Sequence, residues 1–391
     1  MNNLDPKQSV SLAEDIYALT RFIKLEDAID FLKIKYANAF AVSSGNILKG
    51  KTGGPGFIKS RTAFGVVLLG HGKFKGQAFF VFRGTQYLAD WLTNVNVSVS
   101  ASSLGQPVHD GFNESFKSMK SQLTQFKDGF GADIHTVHCI GHSLGGALAT
   151  ICAEWLKKTT RKDVFLYTYG SPRVGLYGFS QVCTSTLGEH AIFRVYHKTD
   201  LVPYIPIWPF LHVPFNNNGY YLYSPGVIPF KKYHDISEYR NTVGSQSWGV
   251  LKGHQTSPKN EAGIMRWLKE STPAGMTITT IEWLNDALIF VLKKCSDAAA
   301  SLISRSFSAT FTLMDKIAYI LKKGIDLSET VSGWVVSLIE KMMSLIGMKK
   351  VVDKAKLTHE FIRNIFMRMS QKIHEYVQRI LDDVLVDGRS I

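Results

Sequence analysis

The most informative stretch of this sequence is Gly141-His142-Ser143-Leu144-Gly145. It follows an apolar run at residues 136–140 and leads into small residues with helical spacing, Gly146-Ala147-Leu148-Ala149. Glycine two positions before and after a serine permits a sharp turn, because side chains there would collide where strand and helix pack closely. We therefore predict a strand, a tight turn and a helix, with Ser143 as a nucleophile on the turn.

Outward from this turn, short β-branched runs alternate with helical patterns. We predict strands at residues 64–69, 78–83, 136–140, 164–169 and 191–196. Helical spacing predicts helices at residues 111–126 and 145–158, and a further N-terminal helix from Leu12, Ile16, Leu19 and Ile23. This alternation indicates an α/β sheet domain.

The prolines divide the chain, since all 12 lie at or before Pro273. We predict an α/β domain at residues 1–270 and an all-α C-terminal domain at residues 274–391. Long amphipathic patterns predict helices in the second domain, at residues 281–293, 306–322, 328–346 and 357–386.

Charges such as Asp286, Lys293 and Asp315 interrupt every apolar run of this second domain before it reaches the roughly 20 residues that a bilayer span requires. We therefore predict no constitutive transmembrane helix. Two interpretations remain open: a helical bundle that packs on itself or on the first domain, or one whose basic, methionine-rich faces contact a membrane.

Composition narrows the function classes. The chain has a net charge of +13 but no nucleic-acid-binding motif, so an anionic membrane is the favoured partner. The alternative is that the charge only keeps the protein soluble. The four cysteines show no disulfide or zinc spacing, which predicts reduced, mostly buried thiols. Residues 1–6 do not resemble a secretory signal, so we expect synthesis in the cytoplasm without Sec export.

Activation of a serine requires an imidazole, a carboxylate that orients it, and backbone donors for the oxyanion. Thr85 follows a predicted strand in Phe82-Arg83-Gly84-Thr85, so the N–H groups of Thr85 and Leu144 are the predicted oxyanion donors. Asp200 follows the strand at residues 191–196 and is the predicted carboxylate. The alternatives are a helix N-cap for Thr85 and an ordinary turn for Asp200.

The chain resembles the class 3 lipases, which include fungal triacylglycerol lipases and plant phospholipases A1. The resemblance covers residues 12–269 and rests on Val81-Phe82-Arg83-Gly84-Thr85, Asp90-Trp91, Val108-His109-Asp110-Gly111-Phe112, the serine turn, Tyr169-Gly170-Ser171-Pro172-Arg173-Val174-Gly175 and Asp200-Leu201-Val202-Pro203. It implies an α/β-hydrolase fold and hydrolysis of carboxylic esters by a triad that includes Ser143 and Asp200, with no cofactor and no metal.

The resemblance also implies the base and a lid. His234 matches the histidine-containing segment before the last helix of the family, and His254 is the alternative base. The segment after Thr85 occupies the place of the family's lid, whose apolar face would be Tyr87, Leu88, Trp91 and Leu92. A fixed helix that seals the sheet is the alternative for this segment.

These features predict a serine-dependent phospholipase A that releases fatty acid from membrane phospholipids. The alternatives are a triacylglycerol lipase, a membrane-perturbing helical protein with accessory esterase activity, and an inactive lipase-like scaffold. The layout resembles lipase effectors that bacteria deliver by specialised secretion machines. It implies export, membrane association and a delivery or neutralising protein that binds the helical tail.

Overall fold

A computed structural model describes residues 3–52, 60–85, 98–207, 209–215, 219–253, 259–270, 275–296, 313–349 and 354–382. The predicted fold class, an α/β-hydrolase sheet followed by a helical C-terminal region, is confirmed.

The centre of the fold is a sheet of eight strands. Seven of them follow the order β1-β3-β4-β7-β8-β9-β10, and the eighth, β2, also pairs with β3. Strands β5 and β6 form a separate two-stranded sheet. The strands are β1 Phe40–Ala41, β2 Ile47–Thr52, β3 Ser60–Gly70, β4 Gln77–Phe82, β5 Val99–Ala101, β6 Pro107–His109, β7 Thr136–His142, β8 Asp163–Tyr169, β9 Ile192–His197 and β10 Tyr220–Leu222.

The second half of the sheet is parallel. Strands β4, β7, β8, β9 and β10 pair in parallel, whereas β1, β2 and β4 each pair antiparallel with β3. The carboxyl ends of the parallel strands therefore meet at one edge of the sheet, where α/β proteins place their ligands.

The described part of the chain contains thirteen α-helices. They are α1 Pro6–Asp15, α2 Ala18–Arg21, α3 Leu25–Lys35, α4 Asp110–Asp128, α5 Leu144–Thr159, α6 Tyr177–Leu187, α7 Ile236–Val243, α8 Trp248–Lys252, α9 Glu261–Lys269, α10 Ile278–Cys295, α11 Leu313–Ile325, α12 Glu329–Leu345 and α13 His359–Asp382. Short 3-10 turns at Val202–Tyr204 and Lys231–His234 carry residues of the site described below.

Side chains that alternate along the strands build two apolar layers, because successive residues of a strand point to opposite faces. Phe80 and Phe82 belong to the layer that holds α4, α5 and α6, and Phe79 and Val81 belong to the layer under α1 and α7. Helix layers thus cover both faces of the sheet.

The C-terminal helices extend the first of these layers. Buried residues of α10, α11, α12 and α13 form one continuous apolar cluster with those of α4 and α5. Helix α9 packs against α10 and α12. The predicted boundary at residues 271–273 lies outside the described residues, so the division into domains 1–270 and 274–391 stays a prediction.

All four cysteines are buried and free. Within the described ranges, no helix is long and apolar enough to cross a bilayer. The prediction of a single N-terminal helix is wrong. Helix α1 ends at Asp15, and a turn at residues 16–17 separates it from α2. Ile23 lies beyond the end of α2 and is fully exposed, so it does not share the buried face of Leu12 and Ile16.

Candidate active site

Ser143 lies on the turn that joins β7 to α5. Its backbone has φ +57° and ψ −130°, and it is the non-glycine residue with positive φ among those described. Such a conformation is strained and persists only where packing enforces it. A Cβ at Gly141 would collide with the Gly145 carbonyl group, and one at Gly145 with the Phe82 carbonyl group. Glycine is therefore required on both sides of Ser143 for the steric reason inferred from the sequence.

The structure brings three sequence-predicted residues into contact. The Nε2 atom of His234 lies 3.0 Å from Ser143 Oγ. On the other side of the ring, Nδ1 lies 3.0 Å from each carboxylate oxygen of Asp200. Asp200 is fully buried, and the His234 side chain is 13% exposed. This arrangement suits proton transfer from the serine to the imidazole, with the carboxylate orienting the ring.

The carboxylate of Asp200 is held by two further donors. The Tyr239 hydroxyl donates to Oδ2 over 2.6 Å, and the Val202 N–H donates to Oδ1 over 3.0 Å. Tyr239 in turn accepts the N–H of His197 at the end of β9. Burial, and then the charge of Asp200, raise the pKa of Tyr239 well above its ordinary value, so its hydroxyl stays a donor.

A second hydrogen-bonded chain connects the N-terminal helices to the site. The Nε2 atom of His142 lies 2.7 Å from the His234 carbonyl oxygen, and its Nδ1 atom lies 2.7 Å from the Tyr17 hydroxyl. Burial lowers the pKa of His142 well below its ordinary value, so the ring is neutral. We assign the proton to Nε2, because the carbonyl oxygen only accepts; Tyr17 then donates to Nδ1.

Tyr17 also contacts the predicted oxyanion turn, since its hydroxyl accepts the Gly84 N–H over 3.0 Å. A Cβ at Gly84 would lie 2.9 Å from the Cβ of Ser143, so this turn packs directly against the nucleophile. Tyr17 therefore fixes the turn before Thr85, while His142 fixes the backbone of His234. Sequence reasoning missed the roles of Tyr17, His142 and Tyr239, because no local pattern reports contacts across such separations.

Thr85 follows β4, and Leu144 is the first residue of α5. The first N–H groups of a helix have no partner within that helix, so the Leu144 N–H is suited to receive an oxyanion. The predicted lid residues Tyr87, Leu88, Trp91 and Leu92 lie outside the described residues, as does the alternative base His254.

Helix α10 supports the loop that carries Asp200. It packs against the 3-10 turn Val202–Tyr204, which follows Asp200. Arg173, in the loop after β8, donates to Asn285 Oδ1 of α10 over 2.7 Å and to the Pro206 carbonyl over 3.3 Å. Burial lowers the pKa of Arg173 to about 10, which leaves the guanidinium charged at neutral pH.

In the ranges that the structure describes, no group of three or more His, Cys, Asp or Glu residues has an arrangement suited to a metal ion.

The class 3 lipase family model matches residues 79–210, which include the serine turn and Asp200. A secreted mono- and diacylglycerol lipase of Fusarium solani is 38% identical over 131 residues, or 32% of this chain and 38% of that protein. The toxin TseL of Vibrio cholerae is 37% identical over 106 residues, or 27% of this chain and 16% of the toxin. The chain thus spans less than half the length of either relative. A solved lipase structure from Yarrowia lipolytica is 21% identical with a TM-score of 0.41, and the match covers 60% of this chain and 82% of that one.

Proposed function

Because this chain belongs to the class 3 lipase family through residues 79–210, we propose that it is a serine hydrolase of lipid carboxylic esters, and specifically a phospholipase A. The observation that carries the proposal is the hydrogen-bonded series from Ser143 Oγ through the His234 ring to Asp200. Nucleophile, base and orienting carboxylate are all within hydrogen-bond distance, as nucleophilic catalysis by serine requires.

In the acylation step, His234 Nε2 takes the proton of Ser143 as Oγ attacks the acyl carbonyl carbon. The carbonyl oxygen becomes an oxyanion, to which the N–H groups of Thr85 and Leu144 donate. The bond to the glycerol oxygen then breaks, and the proton on His234 passes to that oxygen. The products of this step are an acyl-enzyme and a free alcohol.

In the second step, His234 takes a proton from water, and the hydroxide attacks the acyl carbon. Collapse of the second tetrahedral intermediate breaks the bond to Ser143 and returns the proton to Oγ. Asp200 stays ionised throughout and stabilises the imidazolium that forms in each step. The fatty acid leaves, and the free enzyme is restored.

Phospholipid is the proposed substrate because the net charge of +13 favours association with anionic bilayers. Glycerides are the second candidate, which the name of the Fusarium solani relative supports. The segment with Tyr87, Leu88, Trp91 and Leu92 is proposed as a lid whose apolar face meets lipid when it opens.

We also propose that the protein is exported and that it binds a protein partner. The similarity to the toxin TseL supports a role as a delivered effector, with a delivery or neutralising protein bound to the C-terminal helices. The alternative in which these helices perturb membranes by themselves predicts dye leakage from vesicles by the Ser143→Ala protein. Retention of the dye would remove that alternative.

The test is fatty-acid release by the intact protein from phosphatidylcholine–phosphatidylglycerol vesicles and from triacylglycerol emulsions. Ser143→Ala and His234→Ala should each lower kcat by roughly 10⁴- to 10⁶-fold, because triad residues act as a unit. His254→Ala should leave kcat within about twofold, since His234 supplies the base.

Loss of activity with His254→Ala alone would move the base to His254. Release from glycerides alone would replace the phospholipase assignment by a glyceride lipase. Turnover of either lipid by the Ser143→Ala protein would contradict the whole mechanism.

A further inference from the structure

The loop at residues 223–230 exposes an unusual amount of apolar surface. Tyr223 is 73% exposed, Val227 43%, Ile228 70% and Phe230 61%. Eleven large apolar side chains are exposed in the described part of the chain, and four of them lie in this short loop. Apolar residues concentrated in this way mark an interaction surface, whereas scattered ones do not.

This loop lies at the same edge of the sheet as the catalytic residues. It begins after β10, the last parallel strand, and runs into the 3-10 turn Lys231–His234. The Phe230 N–H donates to the carbonyl of Thr199, and the Thr199 N–H donates to Ser224 Oγ. The base of the loop is therefore attached to the residue before Asp200.

The far part of the loop is also held in place. The Ile278 N–H, at the start of α10, donates to the Val227 carbonyl over 3.1 Å. Gly226 has φ +80° and open space around its Cα, so the chain turns sharply there. The loop is thus held by hydrogen bonds to the sheet edge and to the start of α10, while its apolar side chains stay exposed.

Positive charge accompanies the apolar side chains. Lys231 and Lys232 follow Phe230 directly, and residues 219–234 contain no Asp or Glu. Lys232 is 56% exposed and lies 3.6 Å from Glu238, a weak pairing at the surface that leaves its charge available to other anions.

We infer that the 223–230 loop, with Lys231 and Lys232, docks the enzyme on an anionic lipid surface beside its active site. Apolar and aromatic side chains would enter the acyl boundary while the lysines remain at the phosphate groups. Ile228 and Phe230 are 70% and 61% exposed, so both side chains are accessible to a fluid interface. The inference deepens the proposed function and rests on it for the identity of the substrate.

The test separates binding from turnover. Full-length protein carrying Ser143→Ala is co-sedimented with phosphatidylcholine–phosphatidylglycerol vesicles, which it cannot digest. Adding Ile228→Ser and Phe230→Ser should lower the partition coefficient at least about tenfold on these vesicles. Lys231→Gln with Lys232→Gln should lower it about tenfold on these vesicles and leave it unchanged on pure phosphatidylcholine.

Ile34→Ser is the matched control, because Ile34 is 80% exposed on α3, outside this loop. Its partition coefficient should stay within about twofold of the parent. Equal losses in the control and the loop variant, or no binding of the parent to either vesicle, would overturn the inference and leave a protein partner as the occupant of the loop.

The same loop substitutions are then made with Ser143 intact. Release of fatty acid from vesicles should fall in parallel with the partition coefficient, and turnover of dissolved p-nitrophenyl butyrate reports on the triad separately. If the parent hydrolyses neither substrate, the proposed function fails. The partition measurements still decide whether the loop binds lipid.

Discussion

The carboxyl edge of the sheet and the C-terminal helices bury different kinds of side chain. At the sheet edge, Asp200, His197 and His142 are almost completely buried. Hydrogen bonds through Tyr239 connect Asp200 to His197, and hydrogen bonds through His234 connect Asp200 to His142. In α10 to α13, the buried residues are mainly Leu, Ile, Val, Phe and Met, and ion pairs such as Lys322–Asp326 lie at the surface.

The difference locates the chemistry and the sensitivity of the molecule. A buried polar network is specific, because removing one member leaves its partners unsatisfied in a low dielectric. An apolar helix layer tolerates exchange of similar side chains. Point changes at the sheet edge should therefore abolish activity, whereas those in the helices should act on stability.

Among the changes that compare these two regions, Asp200→Asn should have the largest effect. The amide has the shape of the carboxylate but neither orients the His234 tautomer nor stabilises the imidazolium. We expect kcat to fall about 10⁴-fold with the fold retained. The measurement is turnover of a dissolved short-chain ester, together with circular dichroism.

Asp286→Asn is the matched control in the helices, where Asp286 pairs with Lys259 over 3.2 Å and is 34% exposed. It should leave kcat within about twofold. A comparable loss in both variants would break the distinction between the two regions.

A second prediction concerns acid stability. Burial lowers the pKa of His109 to about 4. Neither ring nitrogen has a hydrogen-bond partner among the described residues. An unfolded histidine titrates near 6.5, so between about pH 6.5 and 4 the unfolded state binds the extra proton and is favoured. His109 therefore lowers the unfolding free energy by about 3 kcal/mol as pH falls through this window.

His109→Phe should remove that loss, because phenylalanine does not titrate and retains the stacking on Phe112, whose ring lies 4.3 Å away. The measurement is urea denaturation of both proteins at a series of pH values from neutral to acidic. The curves of unfolding free energy against pH should diverge below about pH 6.5; parallel curves would show that His109 takes up its proton over the same pH range in the folded and the unfolded protein.

The smallest effect should come from Asn285→Ala, at the contact between the two regions. The substitution removes Asn285 Oδ1, which accepts a hydrogen bond from the buried Arg173 guanidinium over 2.7 Å. We expect a loss of about 2 kcal/mol in unfolding free energy, measured by urea denaturation, because this hydrogen bond involves a charged group.

Asn241→Ala, an exposed change on α7, is the control and should cost no more than about 0.5 kcal/mol. The kcat of Asn285→Ala on a dissolved ester should stay near that of the parent. A tenfold fall in kcat would show instead that α10 positions the loop of Asp200.

Some helices and strands could be predicted from the sequence pattern, and others could not. The strand 136–140 and helix 145–158 predicted around Ser143 correspond to Thr136–His142 and Leu144–Thr159. Four C-terminal helices were expected, and the described residues of the four ranges overlap the helices Ile278–Cys295, Leu313–Ile325, Glu329–Leu345 and His359–Asp382. Strands β1, β2, β5, β6 and β10 were not predicted, because most are short and take their order from pairing with neighbours rather than from their own periodicity.

The sequence by itself determined the strand–turn–helix at Ser143, since glycine spacing and periodicity are local properties that survive without knowledge of the partners. Only the tertiary structure decided which side chains meet there. Asp200 and His234 lie 57 and 91 residues from Ser143, and Tyr17 lies 125 residues from His142. Such contacts depend on strand order and on the packing of helices over the sheet, which a one-dimensional pattern does not contain.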